Sequence, residues 1–156
     1  MSTRAQIVVE GSPVLVYVHQ DAAPEDILPV LEEQVQFFVR ERGHTLDPAY
    51  CVAQIVRAFG VEDYRCDQAR GALARNAPAR RTLGWGLGTT LHTDIDWLYL
   101  VRRDGQVTVY QVDWPEPMDA PLTPDALAAD PQRSLAPTTR SRAERPVRTI
   151  RHTPIH

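Results

Sequence analysis

Three side chains able to ligate a metal ion or carry a proton recur at alternate positions in His92-Thr93-Asp94-Ile95-Asp96. On an extended strand alternate side chains share a face, which places His92, Asp94 and Asp96 on one side and Ile95, Trp97, Tyr99 and Val101 on the other. One imidazole and two carboxylates suit a divalent ion such as Zn²⁺, Mn²⁺ or Fe²⁺, with positions left open for water. A second pair, His19 and Asp21, closes an earlier β-rich run and joins the set if the two strand ends are neighbours. The plainer reading of the same residues is a solvated strand start whose histidines serve turn hydrogen bonds. Leu98 and Leu100 make the polar face apolar further along, so the segment meets solvent or a pocket at its N-terminal end.

A second chemistry is legible in the arginines. Arg4, Arg57 and the Arg80-Arg81 pair can grip phosphate through bidentate hydrogen bonds, and Trp85, Trp97 or Tyr99 can stack on a base. The expected ligand surface for a nucleotide therefore comprises Arg4, His19, Asp21, Arg80, Arg81 and Trp85, against the bland alternative of solubilising arginines and core aromatics. Nucleophilic catalysis has little to build on. The chain has no Gly-x-Ser-x-Gly elbow, and Cys51 and Cys66 stand in no recognisable Cys/His context. The glycines of Leu83-Gly84-Trp85-Gly86-Leu87-Gly88 are not spaced as a phosphate-binding loop.

The elements that must position these groups follow from periodicity. Thr3–Glu10 and Val14–His19 flank Gly11-Ser12-Pro13 as an opening β-hairpin, with Ala5, Ile7 and Val9 alternating against polar neighbours. Ile27, Leu28, Leu31, Gln34, Val35 and Phe38 recur at helical steps up to Gly43, and Pro29 is expected in or near that helix's first turn. A second helix is capped by Asp47, carries Pro48 at its first position and is expected to stop at Gly60. A weaker helical stretch follows from about Glu62 to Arg75. Asn76 to Thr90 reads as loop, and Ile95–Val101 with Val107–Val112 form a second hairpin around Asp104-Gly105. The expected fold is α+β, β-β-α-α-(α)-β-β, with two hairpins in one antiparallel sheet covered on one face by helices.

Composition bounds the rest. A chain of 156 residues supports one core, placed in residues 1–114, and no apolar run approaches bilayer length or a signal peptide. A cytoplasmic protein with free thiols is expected. All 17 basic residues are Arg, which points to coding bias rather than chemistry. Residues 1–130 carry 11 Arg against 19 acids, a balance of −8, whereas residues 131–156 carry 6 Arg against Glu144 alone, a balance of +5. Eight of the thirteen prolines and no aromatic lie from Pro115 onward, so residues 115–156 read as an extended or disordered arm. Its charge suits nucleic acid, another acidic surface or the chain's own acidic body.

Met1-Ser2-Thr3-Arg4-Ala5-Gln6-Ile7, His19-x-Asp21-x-x-Pro24, Ile27-Leu28-Pro29 and the Leu91–Tyr99 segment together resemble a group of small bacteriophage and prophage proteins that open with MSTRxQI. The resemblance covers roughly residues 1–112. It departs at Ala22-Ala23, where the group has Gly-Tyr. It implies phage or mobile-element origin, and a weaker analogy extends to phage anti-defence proteins that sequester nucleotide second messengers. Three function classes follow. The first is a non-enzymatic binding protein for a nucleotide-like ligand or a host factor, expected to form homo-oligomers. The second is a virion or assembly protein whose arm docks on a neighbouring subunit. The third is a small metal-dependent enzyme using His92, Asp94 and Asp96.

Overall fold

The opening hairpin forms because Gly11 can take a left-handed backbone, at φ 86°, while Ser12 closes the turn through bonds from its N–H to Val9 C=O and between its hydroxyl and Val14. In the computed structural model, which describes residues 3–19, 21–42, 46–69, 84–92, 94–112, 129 and the backbone of 148–150, this hairpin comprises β1 (Ala5–Val9) and β2 (Leu15–Val18). Two helices follow, α1 (Pro24–Arg42) and α2 (Pro48–Ala69). The chain then returns as β3 (Trp85–Gly88), β4 (Trp97–Val101), β5 (Val107–Gln111) and β6 (Arg148–Ile150). The fold is α+β, with one six-stranded sheet in the order β3-β2-β1-β4-β5-β6.

The sheet is mixed rather than antiparallel. The two hairpins meet through β1 and β4, which run parallel with Ala5 opposite Trp97 and Val9 opposite Val101. The crossover from β2 through two helices and β3 brings β4 back in the direction of β1, a route that two directly joined hairpins could not take. Both hairpin turns consequently lie at one end of the sheet. The second turn follows the Asp-Gly signal, with Gly105 at φ 84° and Gln106 N–H bonded to Asp104 Oδ1 at 2.9 Å.

Three further expectations change. The segment expected to be a loop contains β3, whose Gly86 and Gly88 stand opposite Tyr17 and Leu15 of β2, so ladder pairing overrides its glycine content. Gly60 does not end α2, which runs unbroken into the stretch expected to be a separate, weaker helix. A side chain at Gly60 would touch nothing within 4 Å, so its cost is the ~1 kcal/mol intrinsic to glycine in a helix. Helix α1 also runs through Pro29 instead of starting beside it. Its buried anchors Ile27, Leu28, Leu31, Val35 and Phe38, at about 1.5–3 kcal/mol each, outweigh the ~3 kcal/mol penalty of an internal proline.

Those anchors pack with Cys51, Val52 and Ile55 of α2 on the sheet face formed by Ala5, Ile7, Val9, Val16, Val18, Tyr99 and Val101. The opposite face holds a second cluster of Val8, Leu15, Tyr17, Leu98, Leu100, Tyr110 and Val112, closed over by Leu91 and Ile95 from the β3–β4 connection. Ile95 thus sides with Leu98 and Leu100, not with Trp97 and Tyr99 as strand alternation suggested, because β4 begins only at Trp97. Most of the 115–156 arm lies outside the described residues. Its residues 148–150 return to the sheet as β6, paired antiparallel with Val107–Val109. No helix among the described residues is long and apolar enough to cross a membrane.

Candidate functional site

Gln6 is the residue from which the site is built. It is the second residue of β1 and has no exposed surface, and a buried amide must find partners or cost about 1–3 kcal/mol. It finds them in the β3–β4 connection, where Gln6 Nε2 donates to Thr90 C=O at 3.1 Å and Gln6 Oε1 accepts from the His92 N–H at 2.7 Å. One buried side chain therefore pins His92 over the sheet face that carries Tyr17.

The His92 ring stacks on the Tyr17 ring, centroids 4.5 Å apart and planes 24° apart. His19, two residues along the same face of β2, meets Tyr17 edge-on at 4.4 Å. The Tyr17 hydroxyl donates to Asp94 Oδ2 at 3.0 Å, and the same oxygen receives Arg4 Nη1 at 2.6 Å. His92 Nδ1 lies 3.9 Å from the other carboxylate oxygen. Burial first, and the bond to Asp94 second, push the Tyr17 phenol above its ordinary value, so it stays protonated and donating at neutral pH. Asp96 serves the backbone, with its Oδ2 accepting from the Arg4 N–H at 2.9 Å.

Arg4, His19, His92 and Asp94 are thus brought together, with Asp96 beside them, but not by the geometry the sequence suggested. His92, Asp94 and Asp96 precede β4 instead of sharing a strand face, and hydrogen bonds from Asp96 N–H and Trp97 N–H to Arg4 C=O start the ladder after them. Nor do they form a metal centre. Among the described residues no group of three or more His, Cys, Asp or Glu is placed to hold a metal ion. One oxygen of Asp94 is committed to Arg4 and Tyr17, and one of Asp96 to the Arg4 backbone.

The remaining expected residues fall elsewhere. Asp21 occupies a left-handed turn, φ 51°, leading into α1, and makes no hydrogen bond to the cluster. Trp85 faces the helices, its indole N–H bonded to Asp63 Oδ2 at 2.7 Å and its ring 6.3 Å from Phe59, so it is held in packing and not offered to a ligand. Arg80 and Arg81 lie outside the described residues. Arg57 lines a groove between α1 and α2 with Val30, Gln34 and Val61, across the sheet from the cluster. Cys51 is buried, which pushes its thiol up to about 12 and leaves it unreactive.

Two residues that organise the site escaped the sequence reading. Tyr17 was findable, because it stands two positions before His19 on the same strand face. Gln6 reads as a polar alternate of a half-buried strand, and nothing local marks it as buried. Directly across from Tyr17 on β3 stands Gly86, where a side chain would meet no atom of the described residues within 4 Å. The corner therefore offers a ring-lined wall of His19, Tyr17 and His92 beside a floor that is bare backbone. Exposed imidazole edges, the second Asp94 oxygen and the remaining Arg4 donors supply hydrogen bonds around it. No protein-family model, curated protein or solved structure matches the chain.

Proposed function

We propose that this chain is a non-enzymatic binding protein of phage or prophage origin that takes up a nucleotide-like ligand at this corner of the sheet, in the cytoplasm of the bacterial host. The observation that carries the reading is the pairing of a ring wall with a bare floor, Tyr17 flanked by His19 and His92 with Gly86 opposite. A planar heteroaromatic ring can lie on the Gly86 backbone, stack edge or face against imidazole, and exchange hydrogen bonds with His19 and Asp94. The Arg4–Asp94–Tyr17 chain of charge-assisted bonds supports the reading because it fixes that wall before any ligand arrives, reducing the ordering cost of binding. Asp94 Oδ2 accepts from two donors at once, an arrangement that suits fixed recognition.

Isothermal titration of the full chain with each of the four ribonucleoside monophosphates tests this. At least one should bind, with affinity reduced about tenfold in His19→Ala and in His92→Ala while circular dichroism is unchanged. Absence of binding at millimolar nucleotide, or equal affinity in both variants, would overturn the reading.

A further inference from the structure

The sheet ends at the three-residue β6 on one side and at β3 on the other, and among the described residues β3 has no neighbour on its outer side. The direction of its unpaired groups follows from one bond. His19 N–H donates to Gly84 C=O at 2.8 Å, and in an antiparallel ladder such directly opposed bonded pairs alternate with non-bonded ones. Continuing the observed register, Tyr17 with Gly86 and Leu15 with Gly88 are bonded pairs, while Val18 with Trp85 and Val16 with Leu87 are not. The N–H and C=O of both Trp85 and Leu87 therefore point outward.

Such an edge is complementary to itself. We propose that β3 pairs antiparallel with β3 of a second copy about a two-fold axis through Gly86, and that the two copies thereby share one binding floor. In that register Trp85 stands opposite Leu87 of the partner subunit and the reverse, so the four outward groups of each edge are matched in four hydrogen bonds. Trp85 and Leu87 share the helix-side face, and Leu87, 58% exposed, gains the partner's indole as cover. The Trp85 ring is already fixed by Asp63 and Phe59, so pairing need not order it. The edge also carries no charge and no proline, the usual means of preventing strand addition.

The consequence for the site rests on the binding function proposed above. Gly86 of each copy meets Gly86 of the partner on the Tyr17 face, so the bare floor doubles. Across it the two ring walls face each other about three strand spacings apart, roughly 14 Å.

Sedimentation velocity of the full chain without ligand, over a concentration series, tests the pairing. Wild type should show a monomer–dimer equilibrium. Leu87→Pro should weaken it at least tenfold without unfolding the domain, because the lost N–H points away from β2. Leu87→Lys, which keeps the backbone donor, should weaken it too and serves if the proline variant fails by circular dichroism. A wild type that stays monomeric at all concentrations, or a dimer that survives the folded variants, overturns the proposal, the latter by placing the interface elsewhere. Titration of wild type and a folded monomeric variant with the same monophosphates separates the two claims. Equal affinity overturns the shared floor alone, and no binding by either overturns the functional reading while the edge pairing stands on its own result.

Discussion

The two ends of the sheet use the same kinds of side chain for opposite purposes. At the end where both hairpins turn, polar groups are spent on backbone. Glu10 Oε2 accepts from the Arg103 N–H at 3.0 Å, Asp47 Oδ1 caps α2 through Ala49 and Tyr50, and Leu46 N–H donates to Arg103 C=O. At the other end Gln6, Asp96 and, on the helix side, Tyr99 are spent that way, but the exposed Asp94, Arg4 and His92 are held against one another and against the buried Tyr17. A turn needs its backbone donors satisfied and nothing more. A set of side chains ordered by one another, beside a strand that presents only glycines on the same face, is more than a turn requires.

The largest effect should come from the residue that links the core to the site. Gln6→Leu leaves Thr90 C=O and His92 N–H without their partner, and should cost about 2–4 kcal/mol. Urea unfolding should show a lower midpoint at unchanged slope. A loss no larger than that of Glu10→Ala at the turn end, about 0.5–1 kcal/mol, would erase the distinction between the two ends.

Next is Tyr17→Phe, which keeps the ring contacts with both histidines and removes the donor to Asp94. About 1.5 kcal/mol of stability should be lost, as for a partly buried bond to a charged acceptor. The same phenol sharpens the pH behaviour. Its folded-state pKa is raised above the ordinary value near 10, so the stability it contributes is present below pH ~10 and is lost as pH rises past that toward the folded value. Tyr99 and Tyr110 are raised as well, mainly by burial, and Cys51 moves in the same direction. Stability should accordingly fall on the alkaline side in wild type, with a shallower fall in Tyr17→Phe, measured by urea midpoints between pH 8 and 11.

What is legible in the sequence follows the range of the forces involved. Hairpin turns and the Asp47 cap are local, so Gly11, Asp104-Gly105 and Asp47-Pro48 announced them. Strand β3 was hidden because its two helix-facing apolar side chains, Trp85 and Leu87, are separated by glycines, and only β2 makes it a strand. The parallel contact between β1 and β4 is a tertiary choice that no window of sequence contains. His19, His92 and Asp94 were legible as chemistry by residue type. Their joining rests on Gln6 reaching across to residues 90–92 and on Arg4 reaching Asp94, interactions that span more than eighty residues. Trp85 misled for the reverse reason, since its partners on α2 could not be seen from a loop-like neighbourhood.

The smallest expected structural effect belongs to His19→Ala, below about 0.5 kcal/mol, because the exposed imidazole meets, among the described residues, the edge of the Tyr17 ring alone. It should nevertheless be among the most damaging to binding. The most direct test of the central claim is therefore a nuclear magnetic resonance titration of the isotopically labelled full chain with the ribonucleoside monophosphates. Amide shifts should concentrate at Tyr17, His19, Gly86 and His92 while Gly11, Asp47 and Gly105 at the turn end stay still. Shifts confined to the turn end or to the Arg57 groove between the helices, or no shifts at millimolar nucleotide, would contradict the assignment of this corner as the binding site.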